Sequence, residues 1–550
     1  MSTTGNLCVW NPLNIGSGGT TTLSEGNTTC VMTGADPRTT GTIAGIVTDT
    51  DGFYFETVAT ATGSGALTLG IVVEDRHNQV LAGQIHSRSG SWMWRSYDGG
   101  VFFIETSSNT SYGTFADGDI LGWFVKAGKL YVKKNNSNVV GDVSAESGGL
   151  TLSGHYFFPA VSRTVGGGSG TTAVLRPDSD SWSYTPPSGF KGLTAKDMTI
   201  SSGIDPSGDD GETENPTKQC NAVTYTGNGT TGQSITGLGF KPDLLFLKST
   251  SSSQSWRVYD SSRGGSKMMF ADLNNAESSD AQLITAFGSD GWTFGTSGSN
   301  ANDNSVSYLG VGWRINGATT SSNTNGSITS TVQVNTNAGI SCVQWTGSGS
   351  NATIGHGLSG VDFMIVKDRS NANDWAVYHK SVASDPQTDY LLLNSGVGAS
   401  DDSTYWNDTA PTSTVFSVGS NADTNASSAN MIAYCFQSIE GYSLFTSYTG
   451  NGSADGSVCY LGFRPSILWI KKSSGTNDWG QYTAVGTPFN QIEKVLRQDA
   501  STAYTTSNRS IDITSTGFKL RTSNATFNGS GGTYVVMAWG NPSIKFGNTF

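Results

Sequence analysis

The chain has 550 residues with a formal net charge of −12; 13% of the residues are charged and 71 are glycine. Soluble domains usually carry about 25% charged residues, so this is not the composition of an ordinary cytosolic enzyme, and the length corresponds to several domains of roughly 150 residues rather than one core. The net negative charge, with no run of more than two Lys or Arg, disfavours a nucleic-acid partner, while an apolar content of 35% leaves enough material for packed cores and excludes disorder throughout.

Residues 1–45 read as an N-terminal attachment or extension segment. The first basic residue is Arg38, so no charged leader region is expected, and no apolar run approaches the roughly 18 residues of a membrane-spanning helix. Neither a signal peptide nor membrane insertion is therefore expected. The six cysteines (Cys8, Cys30, Cys220, Cys342, Cys435 and Cys459) show no C-x-x-C spacing and are expected to be buried free thiols. No cofactor or metal site is expected from the five histidines.

Residues 46–193 contain short strand-like runs: Phe53-Tyr-Phe-Glu56, Leu69-Gly-Ile-Val-Val73, Trp92-Met-Trp94, Ile120-Leu-Gly-Trp-Phe-Val125 and Tyr156-Phe-Phe-Pro-Ala-Val161. Their order, with Gly118-Asp119-Ile-Leu-Gly122, Leu130-Tyr131, Phe158-Pro-Ala-Val-Ser162 and Pro186-Pro-Ser-Gly-Phe190, resembles a SPRY domain, from which the chain departs by having Asn135-Asn136 where that family usually has Asn-Gly. That resemblance implies a concanavalin-like β-sandwich serving as a non-catalytic recognition module, with a structural role for Glu56. Residues 194–218 follow as an acidic Gly/Ser/Pro linker carrying Asp205, Asp209, Asp210, Glu212 and Glu214, whose spacing departs from a D-x-D-x-D-G calcium loop.

Beyond the linker the chain repeats itself three times. Tyr225-Thr-Gly-Asn-Gly229 recurs as Trp345-Thr-Gly-Ser-Gly349 and Tyr448-Thr-Gly-Asn-Gly452, each followed by an apolar run ending in a lysine: Lys248, Lys367 and Lys471. Eight residues after each lysine comes a tryptophan (Trp256, Trp375, Trp479), and three further on a tyrosine (Tyr259, Tyr378, Tyr482). Each copy closes with an apolar run ending in an aromatic: Tyr308–Trp313, Met431–Phe436 and Tyr534–Trp539. A unit of about 100 residues exceeds a solenoid repeat, so each copy is expected to be a β domain with its own core, at 219–317, 335–440 and 441–550, with a linker at 318–334. The fold class is all-β, a series of tandem β-sandwich domains. Ile492-Glu-Lys-Val-Leu496 has helical spacing, but it occupies the slot of strand-like runs in the other copies, and the repeat overrules the local pattern.

The sandwich and three copies together resemble repeat-bearing tail-fibre and virion structural proteins of aquatic bacteriophages. The residues that carry this are Trp10-Asn-Pro-Leu-Asn14, Tyr259-Asp-Ser-Ser-Arg-Gly264, Trp375-Ala-Val-Tyr-His379, Tyr405-Trp-Asn-Asp-Thr-Ala-Pro-Thr-Ser413, Leu461-Gly-Phe-Arg-Pro465 and Gly517-Phe-Lys-Leu-Arg521. The resemblance implies a virion protein assembled in the host cytoplasm. The leading role is a tail fibre or appendage that binds a host surface glycan or receptor and contacts other tail or head proteins, as a homotrimer. A capsid-decorating or head-fibre protein is the alternative, and a polysaccharide depolymerase comes third. No catalytic residues are assigned, because no pair of carboxylates is arranged on a strand as glycoside cleavage requires and no G-x-S-x-G precedes a helix. The repeated tryptophans are expected in the core, and His356 and His379 as satisfied or exposed residues rather than ligands. Tyr405 and Trp406 lie in a polar stretch unique to the second copy and are the candidate exposed sugar platform.

Overall fold

A computed structural model describes residues 8–11, 19–25, 27–34, 37–41, 45–47, 49–62, 67–73, 91–96, 100–103, 108–152, 156–163, 170–194, 218–280, 283–295, 301–486, 490–506 and 508–540. The chain divides into two compact units, Met1–Thr199 with Ser457–Gly462, and Ile200–Gly456 with Phe463–Phe550. The acidic carboxylates at 205–214 lie outside the described residues.

The first unit is a two-layer antiparallel sandwich. One sheet runs Gly19–Ser24, Thr29–Gly34, Thr171–Arg176, Phe53–Ala61, Ile120–Lys126, Lys129–Lys134, Ser137–Val140; the other runs Arg38–Thr40, Tyr156–Arg163, Leu67–Val73, Ser91–Arg95, Gly100–Phe103, Ser108–Ser111. Alternation along Phe53–Ala61 explains the layering. Phe53 and Phe55 face the second sheet, meeting Phe157 at 5.9 and 6.4 Å between ring centroids, whereas Tyr54 and Glu56 face the opposite way. Tyr54 packs there on Trp182, and the fully buried Glu56 accepts from Tyr54 Oη and from the amides of Ser183 and Tyr184 at 2.7–2.9 Å. Glu56 thus staples the chain after the last strand onto the sheet, the structural role expected of it. Asn135 and Asn136 both have positive φ, which suits a two-residue hairpin turn. The expected N-terminal extension is corrected: Thr29–Gly34 pairs with Thr171–Arg176 and Arg38–Thr40 with Tyr156–Arg163, because Cys30, Met32 and Thr39 supply buried side chains to the sandwich.

In the second unit the three copies share one strand order. The opening strand pairs with the closing strand, which pairs with the lysine-ended strand and then the strand after the tryptophan: Cys220–Thr226, Ser307–Trp313, Leu244–Ser249, Arg257–Asp260 in the first copy. The second copy repeats this as Ile340–Thr346, Asn430–Phe436, Phe363–Asp368, Ala376–His379, and the third as Ser443–Thr449, Thr533–Gly540, Pro465–Lys472, Gly480–Thr483. The expected linker at 318–334 is also corrected, since Ser321–Asn323 and Ser330–Asn335 extend the second copy's sheet. Ile492–Leu496 is not helical; Ile492 and Val495 bridge to Ile511 and Thr505.

The Thr-Gly-x-Gly turn has a common cause in all copies. A Cβ on its first glycine (Gly227, Gly347, Gly450) would stand 2.1–2.4 Å from a backbone carbonyl, and its second glycine (Gly229, Gly349, Gly452) has φ near +68°. A buried asparagine clamps the turn: Asn302, Asn425 and Asn528 each accept, at 2.9–3.0 Å, from the amide between the two glycines.

Each of the first two copies has an outer core of its own, but the inner faces of all three meet in one. The closing aromatics Trp313, Phe436 and Trp539 form a triangle with centroid separations of 6.2, 5.3 and 5.3 Å. Around it the repeated residues link the copies head to tail. Trp256 Nε1 donates to the Arg497 carbonyl of the third copy at 2.6 Å, Trp375 Nε1 to Phe270 of the first at 2.8 Å, and Trp479 Nε1 to Leu392 of the second at 2.9 Å. The lysines follow the same circuit, with Lys248 donating to Ser501, Lys367 to Asn274 and Lys471 to Gly396. Backbone bonds complete it: Tyr504 N to Thr250 O, Glu277 N to Arg369 O and Ala399 N to Ser473 O. Three head-to-tail junctions that return to the start make a closed ring with pseudo-threefold symmetry. Burial pushes each lysine amine down to about 8, a cost met by carbonyl acceptors from two copies.

The expectation that each copy is self-sufficient therefore extends no further than the outer cores of the first two copies. Unfolding of the ring should be one cooperative calorimetric transition, and Trp375→Ala should lower its stability by about 3–5 kcal/mol as a buried large-to-small change. Residues 330–546 produced alone should aggregate, because they lack the Phe270 and Asn274 carbonyls and the Trp313 ring; a soluble, cooperatively folded fragment would show that the junctions are dispensable.

Candidate functional site

Most of the residues singled out in the sequence are consumed by the fold. Trp256, Trp375 and Trp479 are fully buried, as expected of core positions, and the six cysteines are buried free thiols. Tyr405 and Trp406 are corrected: they are not an exposed platform. Asp402 caps a helical turn at Ser403–Trp406 by accepting from the Thr404 amide, and Asn407 ends it in the left-handed conformation, so both rings turn inward. Tyr405 stacks on Tyr390 at 3.6 Å and donates to Asp423 at 2.6 Å, while Trp406 is 1% exposed and donates from Nε1 to the Asp389 carbonyl at 3.0 Å.

The two described histidines are satisfied core residues. His356 lies 3.2 Å from the Thr412 carbonyl and accepts the Leu358 amide; His379 lies 3.2 Å from Val536 O of the third copy and accepts the Ser381 amide. Burial lowers both pKa values, that of His379 to about 4. Where His379 stands in the second copy, the first has Asp260, also buried. Burial works to raise its carboxyl, yet the Arg263 guanidinium beside it prevails and holds it below the usual range. Tyr434 of the second copy donates to the same carboxylate at 2.6 Å.

Among the described residues, two clefts open at the surface where copies adjoin. The larger cleft, about 610 Å³, lies between the first copy and the start of the second. One wall is the segment Arg314–Gly317, held by the buried carboxylate of Asp243, which accepts the amides of Ile315, Gly317 and Ala318 at 2.7–3.0 Å. The other wall is Val334–Asn337, tied back where Asn335 donates to Gln219 at 2.9 Å and accepts the Ala338 amide. Lys241 and Arg314 bring cationic groups to the cleft; Asn316, Asn337, Ser289 and Thr336 add amides and hydroxyls; Phe240 and Val334 add apolar surface. The described lining contains no Asp or Glu. Such a set can donate hydrogen bonds to hydroxyl and carboxylate oxygens and pack against an apolar ring face.

None of these lining residues was marked in the sequence, because they come from segments that resemble one another in no pattern. The clamping asparagines were also missed, although each stands six residues before the start of the closing run, a spacing that the sequence does contain.

The family described as Domain of unknown function (DUF7483) matches residues 215–542. No curated protein matches the sequence. Among solved structures, the SPRY domain of human HERC1 is similar over 30% of this chain and 96% of its own, at 10% identity and a TM-score of 0.24. A human SPRY domain is similar over 29% and 97%, at 16% identity and 0.22, and the carbohydrate-binding module CBM66 from Bacillus subtilis over 31% and 94%, at 13% identity and 0.19.

Two outcomes test this account of the buried residues. Trp406→Ala should cost about 3–5 kcal/mol, where an exposed tryptophan would cost under about 1, as read by denaturant midpoints. For the histidines, the folded pKa lies below the ordinary 6.5, so as pH falls below 6.5 the unfolded chain takes up protons that the folded chain refuses, and stability declines. The urea midpoint should drop between pH 6.5 and 5, and His379→Gln should flatten that slope.

Proposed function

The chain belongs to the DUF7483 family, and from that premise we propose that it is a non-catalytic binding protein of a bacteriophage virion, a tail fibre or appendage that engages glycans on the host surface. The observation that carries the binding role is the cleft between the first and second copies. A chain of net charge −12 presents there Lys241 and Arg314 with amides and hydroxyls, and with no carboxylate in the described lining. Glycoside cleavage needs two carboxyl groups flanking the bound linkage; this lining instead offers donors, which suits holding a sugar rather than cutting it. Placement on a virion rests on the motifs of the repeats and the sandwich. A homotrimer was expected for its threefold symmetry and buried sheet edges; the ring provides a threefold arrangement within one chain, so a single copy suffices for it.

Sites of this kind are weak singly, at about millimolar to micromolar affinity, and gain from display in many copies on a particle. Purified protein should compete with phage for adsorption to host cells and release no reducing sugar from surface polysaccharide. Lys241→Ala should weaken that competition. Labelled antibody against the chain should decorate tails on intact virions; label over the heads, with adsorption undiminished at saturating protein, would replace this reading with capsid decoration. Light scattering should give a mass near 57.6 kDa.

A further inference from the structure

The ring has three equivalent junctions, and they are not filled alike. At each one a residue two places beyond the buried lysine offers its carbonyl to an amide of the next copy: Thr250 to Tyr504, Arg369 to Glu277, Ser473 to Ala399. Between the second and first copies the space beside this bond is occupied. Arg369 donates from Nε to Glu277 Oε2 at 2.8 Å and from Nη1 to Gln344 at 2.7 Å, and Arg263 donates from Nη1 to the same Glu277 oxygen at 2.9 Å. Between the third and second copies the backbones themselves close: a Cβ on Gly398 would stand 2.8 Å from both the Ser473 carbonyl and the Gly475 amide nitrogen. Between the first and third copies the matching positions hold small residues, Thr250 for Arg369 and Thr224 for Gln344, and a groove of about 550 Å³ is left.

We propose that this groove is a second sugar-binding subsite, taking a neutral, hydroxyl-rich stretch of glycan; it rests on the glycan reading of the chain. Its first wall is a row of hydroxyls, from Thr224, Thr226, Thr250, Ser251 and Ser307, each able to donate and accept as a sugar hydroxyl requires. Its second wall, from the third copy, carries the half-buried ring of Tyr504, with Lys494 Nζ 5.6 Å from the ring centroid. Val485 completes that wall and is one of three large apolar side chains left exposed among the described residues. An apolar rim beside a hydroxyl row matches the two faces of a pyranose, one lined by C–H groups and one edged by hydroxyls. The described lining has one cation and no carboxylate, so charge contributes little and the ligand is neutral, in contrast to the doubly cationic cleft.

The other junctions supply the test. Thr250→Arg and Thr224→Gln place in the groove the side chains that fill its counterpart. Full-length protein and these variants, with Lys241→Ala beside them, are titrated calorimetrically with neutral hexose oligosaccharides and with uronate oligosaccharides. The expected result is that Thr250→Arg and Thr224→Gln each lose at least tenfold in affinity for neutral oligosaccharides, with unchanged melting temperature, while Lys241→Ala loses uronate binding alone. Wild-type affinity for neutral sugars in both groove variants would overturn the subsite while leaving the cleft and the glycan reading standing. Wild-type protein that binds neither class would overturn both. Should Thr250→Arg fail to fold, Thr224→Gln alone decides, since its position is exposed.

Discussion

The ring depends on an indole N–H and an ammonium group from each copy reaching backbone carbonyls of the next. A buried amine is costly unless its donors are met, and a carbonyl at the end of a strand or in a turn is costly unless its acceptor is met. Joining the two across a junction answers both needs at once, and only when the neighbour is in place. That reciprocity binds three similar β sandwiches into one body. The lysines sit at the ends of their strands, where they can reach both their own loop and the neighbour's, and the tryptophans stand beside them with one edge in the shared core and the N–H at its margin.

The shared core shows how a repeated sequence fits a closed ring without being identical. At the axis the closing aromatics are Trp313, Phe436 and Trp539, and in the layer beside them the lysine-ended strands contribute Phe246, Ile365 and Trp469. Three tryptophans in each layer would overfill the axis; mixed sizes keep the density of a packed interior. The same divergence operates at the junctions. One is filled by an arginine network, one by close backbone approach, and one is left as a groove. Pseudo-symmetry thus fixes the scaffold, while the departures from it create the only chemically distinct surfaces among the three junctions described.

Much of the architecture was legible in the sequence because it is repeated there. The all-β class, the threefold recurrence of strand-like runs and the core role of Trp256, Trp375 and Trp479 follow from spacing that recurs in every copy, and the Thr-Gly-x-Gly turns recur because a Cβ on the first glycine would strike the facing carbonyl. Tyr405 and Trp406 differ from their expected exposure because a polar neighbourhood in sequence is not an exposed one in the fold. Asp402 and Asn407 form a capped turn, and a single turn is enough to swing two adjacent rings into the core. The first strands escaped notice for the opposite reason: Gly19–Ser24 and Thr29–Gly34 are rich in threonine and form a hairpin with each other, which the sheet anchors by pairing Thr29–Gly34 with Thr171–Arg176 far along the chain.

By itself, then, the sequence determined that there are three like units, which strands each contains and which residues recur, since those are local or periodic properties of one chain. Tertiary structure decided whether the units stand apart or close on one another. Nothing in the spacing of Trp256, Trp375 and Trp479 tells whether an indole N–H meets a carbonyl of its own copy or of the next; that depends on the relative placement of sheets roughly 100 residues apart. The cleft beside Arg314 and the groove beside Thr250 exist only through that placement, because each takes its walls from two copies and neither wall carries a pattern of its own.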